Sequence, residues 1–147
     1  MQKRRQQHGF TLIELLIVLV IMVGVAAVAV PRFAKAMTYV ELRKSTQQLA
    51  ASLRDARNRS IIEARTAEVI LNTERQFLRV REQGIVLDWS DDIHVSLDGS
   101  EMSPSVEEWS IRFYPDGTAS NVSLSVVALE RRYQVSVDWL TGRVRVL

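Results

Sequence analysis

The chain has 147 residues, 47% of them hydrophobic and 24% charged, which suits one compact domain beside any anchoring segment. It contains no cysteine, so disulfide stapling and a thiol nucleophile are excluded and stability must come from packing. The pI of about 9.3 misleads: three of 19 basic and one of 17 acidic residues precede Pro31, leaving 16 of each, so no overall basic field for nucleic acid exists.

Residues 1–9 form a short basic leader, with Lys3, Arg4 and Arg5, too short to fold. Residues 10–30 hold a single charge, Glu14. As a helix this run is about 31 Å long at ~1.5 Å per residue, enough to cross a hydrocarbon core of ~30 Å. The basic end is expected to stay in the cytoplasm and the bulk of the chain to lie outside. Glu14 is the anomaly. A carboxylate near the end of a spanning helix costs a few kcal/mol, so it needs a partner or a role.

The run Gly9-Phe10-Thr11-Leu12-Ile13-Glu14 resembles the processing site of type IV prepilins and type II secretion prepseudopilins. The resemblance implies cleavage by prepilin peptidase between Gly9 and Phe10, methylation of the Phe10 amine, and Glu14 as the assembly carboxylate. In that family the glutamate pairs with the free amine of a neighbouring subunit. An ammonium and a carboxylate buried together in lipid satisfy one another, whereas either alone is costly. Small residues Gly24, Ala26, Ala27 and Ala29 would let such helices approach closely. A plain anchor explains the apolar run but not Glu14. A secretory signal peptide would use Ala27-Val28-Ala29 as its cleavage site, but its apolar core is only ~7–15 residues long.

Pro31 is expected to interrupt or kink the helix, since it lacks a donor and crowds the preceding turn. Helical character resumes over 31–66, with an apolar stripe of Phe33, Met37, Val40, Leu42, Leu49, Leu53, Ala56 and Ala64. Arg43, Lys44, Gln47, Arg54, Asp55 and Arg59 take the other face. From residue 67 to 147 the period falls to two. Strands are expected over 68–73 and 77–82 as a hairpin, then 85–89, then around Ile93, Val95 and Leu97. Residues 98–107 read as a surface loop, with Gly99 and Pro104. Trp109, Ile111 and Phe113 alternate before the turn Pro115-Asp116-Gly117. Val122 to Ala128 form a strand, and Arg131-Arg132 sit at the following connection. Tyr133, Val135, Val137 and Trp139 alternate, Thr141-Gly142 turns, and Val144 and Val146 close the last strand. The expected fold is α+β and pilin-like: a long N-terminal helix, transmembrane in its first half, packed on an antiparallel two-sheet sandwich.

Three later segments narrow the resemblance. Residues 49–64, LAASLRDARNRSIIEA, residues 111–124, IRFYPDGTASNVSL, and the ending TGRVRV resemble the group shared by the H-type minor pseudopilin and the FimT-type minor pilin. The implied function is a minor subunit of the type II secretion pseudopilus, linking the tip complex to the major pseudopilin while folded exoproteins are pushed through the outer membrane. Its implied partners are those pseudopilins, prepilin peptidase and the inner-membrane assembly platform. It would sit in the bacterial inner membrane with a single pass and its C-terminal domain in the periplasm.

The alternative is a FimT-like pilin that binds DNA in natural transformation. Gly142-Arg143-Val144-Arg145 has the GRxR form found in DNA-binding members, Arg143 and Arg145 share a strand face, and Arg131 and Arg132 are candidates to join them. Balanced charge argues for a hydrated strand face instead, and nucleic acid is not an expected partner. No catalytic motif is present, so no enzyme and no cofactor is expected. His94 reads as a structural or surface strand residue rather than a base. Asp91, Asp92, Asp98 and Glu101 lack the register of a calcium loop, so no metal is expected. Trp89, Trp109 and Trp139 read as core strand residues, with one available to anchor a neighbouring subunit.

Overall fold

A computed structural model describes residues 11–81, 84–98 and 108–147. The leader, the Gly9–Phe10 junction and residues 99–107, with Glu101, lie outside the described residues. Helix α1 spans Leu12–Ile62. The chain divides into two units, Met1–Met37 and Thr38–Leu147.

In the first unit the large apolar side chains from Leu12 to Val30 are all exposed, and this stretch is long and apolar enough to cross a membrane. The helix is assigned continuously over Pro31, so the expected interruption does not occur. Proline removes only its own donor, and the flanking turns keep their bonds. Phe33 and Met37 are exposed, as is Val40 at the start of the second unit. The buried stripe therefore begins later than its sequence period indicates.

Within the second unit that stripe comprises Leu42, Leu49, Ala50, Leu53 and Ala56, all 1% exposed or less. Each fully buried leucine contributes about 1.5–3 kcal/mol. The helix ends in a Schellman motif: the Arg65 amide donates to the Ser60 carbonyl at 3.2 Å and Ala64 donates to Ile61 at 3.4 Å. Ala64, at φ 51°, is the left-handed residue that stops the helix and is exposed, not part of the stripe.

Among the described residues eight strands follow: β1 Ala67–Asn72, β2 Phe77–Val80, β3 Gly84–Asp88, β4 His94–Leu97, β5 Glu108–Phe113, β6 Val122–Ala128, β7 Arg131–Val137 and β8 Val144–Val146. They form two antiparallel four-stranded sheets, ordered β3-β2-β1-β5 and β4-β6-β7-β8. Alternation sends Val69, Leu71, Leu78, Val80, Ile111 and Phe113 of the first sheet into the core. The second sheet adds Val95, Leu124, Val126, Val135, Val137 and Val144. Gln76 links the two sheets, accepting from the Trp89 indole and, at 3.4 Å, from the Val95 amide of β4.

Two local expectations change. Arg131 and Arg132 lie inside β7, opposite Ala128 and Val127, and the turn is Leu129-Glu130. The ladder runs further because both arginines are extended and paired. Trp139 is 56% exposed in the turn after β7, while Trp89 is buried and Trp109 half-buried against the core. The strand ends at Val137 because the Asp138 carboxylate takes up the Thr141 amide and hydroxyl, both at 2.8 Å, and folds the chain back.

Candidate functional site

At the start of α1, Thr11 is the N-cap. Its hydroxyl accepts from the Glu14 amide at 3.3 Å and its carbonyl from the Leu15 amide at 3.2 Å. Thr11-Leu12-Ile13-Glu14 thus has the spacing of a capping box, with Glu14 at the third helical position. There its charge also complements the positive end of the helix dipole. The T-x-x-E spacing was the signal in the sequence. The bond seen uses the Glu14 backbone amide, so the carboxylate itself is left for another partner. Glu14 itself is exposed.

The four arginines of the DNA-binding alternative divide. Arg132, Ser136 and Asp138 share one face of β7, and Arg145 stands opposite Ser136 while Arg143 pairs through its carbonyl with the Asp138 amide. Arg132, Arg143 and Arg145 are therefore on the outer face, and all are exposed. Arg131 points to the other face and lies over the Tyr39 ring at 4.5 Å. The outer face is also not purely basic. The Asp138 carboxyl is held below its usual range by its hydrogen bonds to Thr141, with a smaller contribution from the Arg145 charge.

Residues 49–64, 111–124 and the TGRVRV ending, distant in sequence, meet at one place. Arg54, Arg57 and Ser60 project from one side of α1 at three-residue spacing. The Arg54 guanidinium donates to the Val144 carbonyl at 3.3 Å, Arg57 Nε to the Thr141 carbonyl at 3.0 Å, and the Ser60 hydroxyl to the Tyr114 carbonyl at 3.2 Å. Arg54 thereby caps the outer edge of β8, a three-residue edge strand. The Ala119 amide donates to the Trp139 carbonyl at 2.9 Å, joining the two turns. Gly142, at φ 59°, lets them close: a Cβ there would lie 2.5 Å from the Gly117 carbonyl and 2.8 Å from Arg57 Nε. The glycine of the GRxR pattern is thus required by packing. Arg57 was the residue that sequence reasoning passed over. It stood in a quoted segment, but nothing local marked it as the contact for a turn 84 residues away.

On the outer face of the first sheet, Glu68 accepts from Ser110 at 2.5 Å, from Arg112 at 3.3 Å and from Arg81. It lines a cavity of about 310 Å³ together with Arg59, Arg65, Arg81 and Arg112. The Ser110 hydroxyl first, then the two guanidiniums, holds the Glu68 carboxyl below its ordinary 4.5, against partial desolvation. A lowered folded value makes this contribution complete above pH 4.5 and lost as pH falls through that lower value. Glu68→Gln is expected to lose about 1 kcal/mol at pH 7 and less at pH 3, read as urea midpoints. An equal loss at both values would rule out the charge as the cause.

Among the described residues no cluster of His, Asp or Glu suited to a metal occurs, and His94 is exposed on β4.

The profile of the prokaryotic N-terminal methylation motif matches residues 4–30. Over 143 residues the chain is 24% identical to the type II secretion system protein H of Xanthomonas campestris pv. campestris, covering 97% of this chain and 84% of that protein. The minor pseudopilin EpsH from the type 2 secretion system of Vibrio cholerae superposes with a TM-score of 0.55 at 14% identity, over 73% of this chain and 96% of that one. The type IV minor pilin FimU of Pseudomonas aeruginosa superposes with a TM-score of 0.56 at 14% identity, over 76% of this chain and 92% of that one. These two structures establish the fold. The chain thus carries the methylation motif at its amino end, is similar along nearly its whole length to a type II secretion system protein H, and shares the fold of the minor pseudopilin EpsH and the minor pilin FimU.

Proposed function

We propose that this chain is a minor pseudopilin of type II secretion, a structural subunit joining the tip complex to the major pseudopilin of the filament that drives folded exoproteins outward. The observation that carries this reading is the pairing of a methylation motif with an end-to-end likeness to a type II secretion protein H. The family is structural, and the subunit does no chemistry of its own. Its apolar first helix is consistent with inner-membrane anchoring.

Residues 1–9 are the leader, 10–30 the span, 31–66 the helical continuation and 67–147 the periplasmic β domain. Prepilin peptidase cuts between Gly9 and Phe10, and Phe10 is methylated. The assembly platform then feeds the subunit into the pseudopilus, with Glu14 meeting the amine of a neighbour. Lys3, Arg4 and Arg5 hold the amino end in the cytoplasm until cleavage.

The test is the mature amino terminus in cells with and without the peptidase, alongside secretion by a strain carrying only a Gly9→Arg copy. The expected result is a methylated Phe10, uncleaved precursor without the peptidase, and loss of secretion with Gly9→Arg. A terminus at Val30 would overturn the reading.

A further inference from the structure

The β6–β7 turn is built against local preference. Leu129 sits at φ 53°, a conformation that glycine or asparagine adopts with less strain, and its side chain is 53% exposed. Nothing in the core uses it. It is followed by the exposed Arg131 and Arg132, with Glu130 between, and Arg131 fastens the turn to Tyr39 of α1. Arg43 and Lys44, exposed on the helix, add two charges at this end of the unit, against Glu41. The balance of these side chains is cationic, with an apolar tip.

Tyr39 is the second residue of its unit, and eight residues of chain, 31–38, separate it from Val30. Even fully extended, that tether reaches only about 30 Å. That tether limits how far the turn can lie from the lipid surface when the apolar helix is inserted.

We propose that the Leu129 turn, with Arg131 and Arg132, docks on the anionic lipid surface of the membrane that holds the chain before assembly. This rests on the reading of residues 10–30 as a span. An anionic leaflet attracts each nearby arginine, and a leucine side chain can enter the headgroup layer while the guanidiniums stay with the phosphates. Lipid suits the tip better than a polyanion such as DNA, which has no place for an exposed leucine beside Glu130.

The test uses the full chain, isotope-labelled, in lipid nanodiscs bearing headgroup spin labels. Amide signals of residues 129–132 should broaden about tenfold more in discs containing phosphatidylglycerol than in pure phosphatidylcholine, with Thr118 unaffected. Leu129→Gly should raise the melting temperature, by relieving the backbone, while abolishing the broadening. Arg132→Gln should abolish most of the difference between the two lipids. Val20, probed with an acyl-chain spin label, reports the span independently. Broadening at Val20 without broadening at 129–132 would overturn the docking and leave the span intact. No broadening at either would overturn both. Equal broadening in both lipids would overturn the anionic recognition.

Discussion

Gly142→Ala is expected to destabilise the domain by about 3 kcal/mol or more, seen as a fall in Tm of roughly 10–20 °C. Two effects combine. The residue sits at φ 59°, where an L side chain is strained. The added Cβ would also lie 2.5 Å from a backbone oxygen, which cannot move aside as a side chain can. Gly117→Ala separates these effects. Its φ is 86°, but its Cβ would find nothing nearer than 3.5 Å, so only the backbone strain applies. Gly117→Ala should therefore cost about 1–2 kcal/mol. Removing Arg57 as well as Gly142 should recover little, because the Gly117 carbonyl remains in place. Equal losses for the two glycines would show that the close approach has no consequence and that backbone conformation alone matters.

Glu14→Ala should leave the Tm of the domain unchanged and lower incorporation into filaments about tenfold, measured as the ratio of filament-bound to membrane-pool subunit. Alanine removes both the charge and the side chain that the T-x-x-E spacing offers for capping, while the bond from the Glu14 backbone amide to Thr11 stays. Glu14→Gln distinguishes them. Glutamine keeps the cap geometry, since either residue serves there, and removes only the charge. If charge pairing with a neighbour's amine governs assembly, Gln should be as poor as Ala. If Gln assembles like the parent chain, Glu14 serves as a cap and the pairing is wrong.

The strands were legible because nearly every one is covered on one face, so burial imprints a period of two, as at Val69-Ile70-Leu71 and Val122 to Val126. The turns Pro115-Asp116-Gly117 and Thr141-Gly142 were legible from residue types that tolerate few other conformations. The errors fall where local pattern and tertiary context part. Trp139 continues the alternation of Tyr133, Val135 and Val137, yet Asp138 binds Thr141 and turns the chain, leaving the indole outside. Arg131 and Arg132 looked like a loop because charge is commonest there, but at a sheet end extended arginines keep their ladder bonds. The face occupied by Arg131 followed from its register, and its contact with Tyr39 could not be read from spacing at all. Glu14 was legible as an anomaly from composition, whereas its bond partner Thr11 required attention to capping geometry.

The clasp between α1 and the final hairpin also bears on timing. Arg57 and Arg54 bind carbonyls 84 and 90 residues further along. Contacts of such sequence separation form late, because a long loop must close first. The helix is synthesised before its binding partners, which follow 84 and 90 residues later. Until the hairpin is made the helix has nothing to hold, and the sandwich stays open. A chain interrupted before that point would be an open domain and a ready target for proteases.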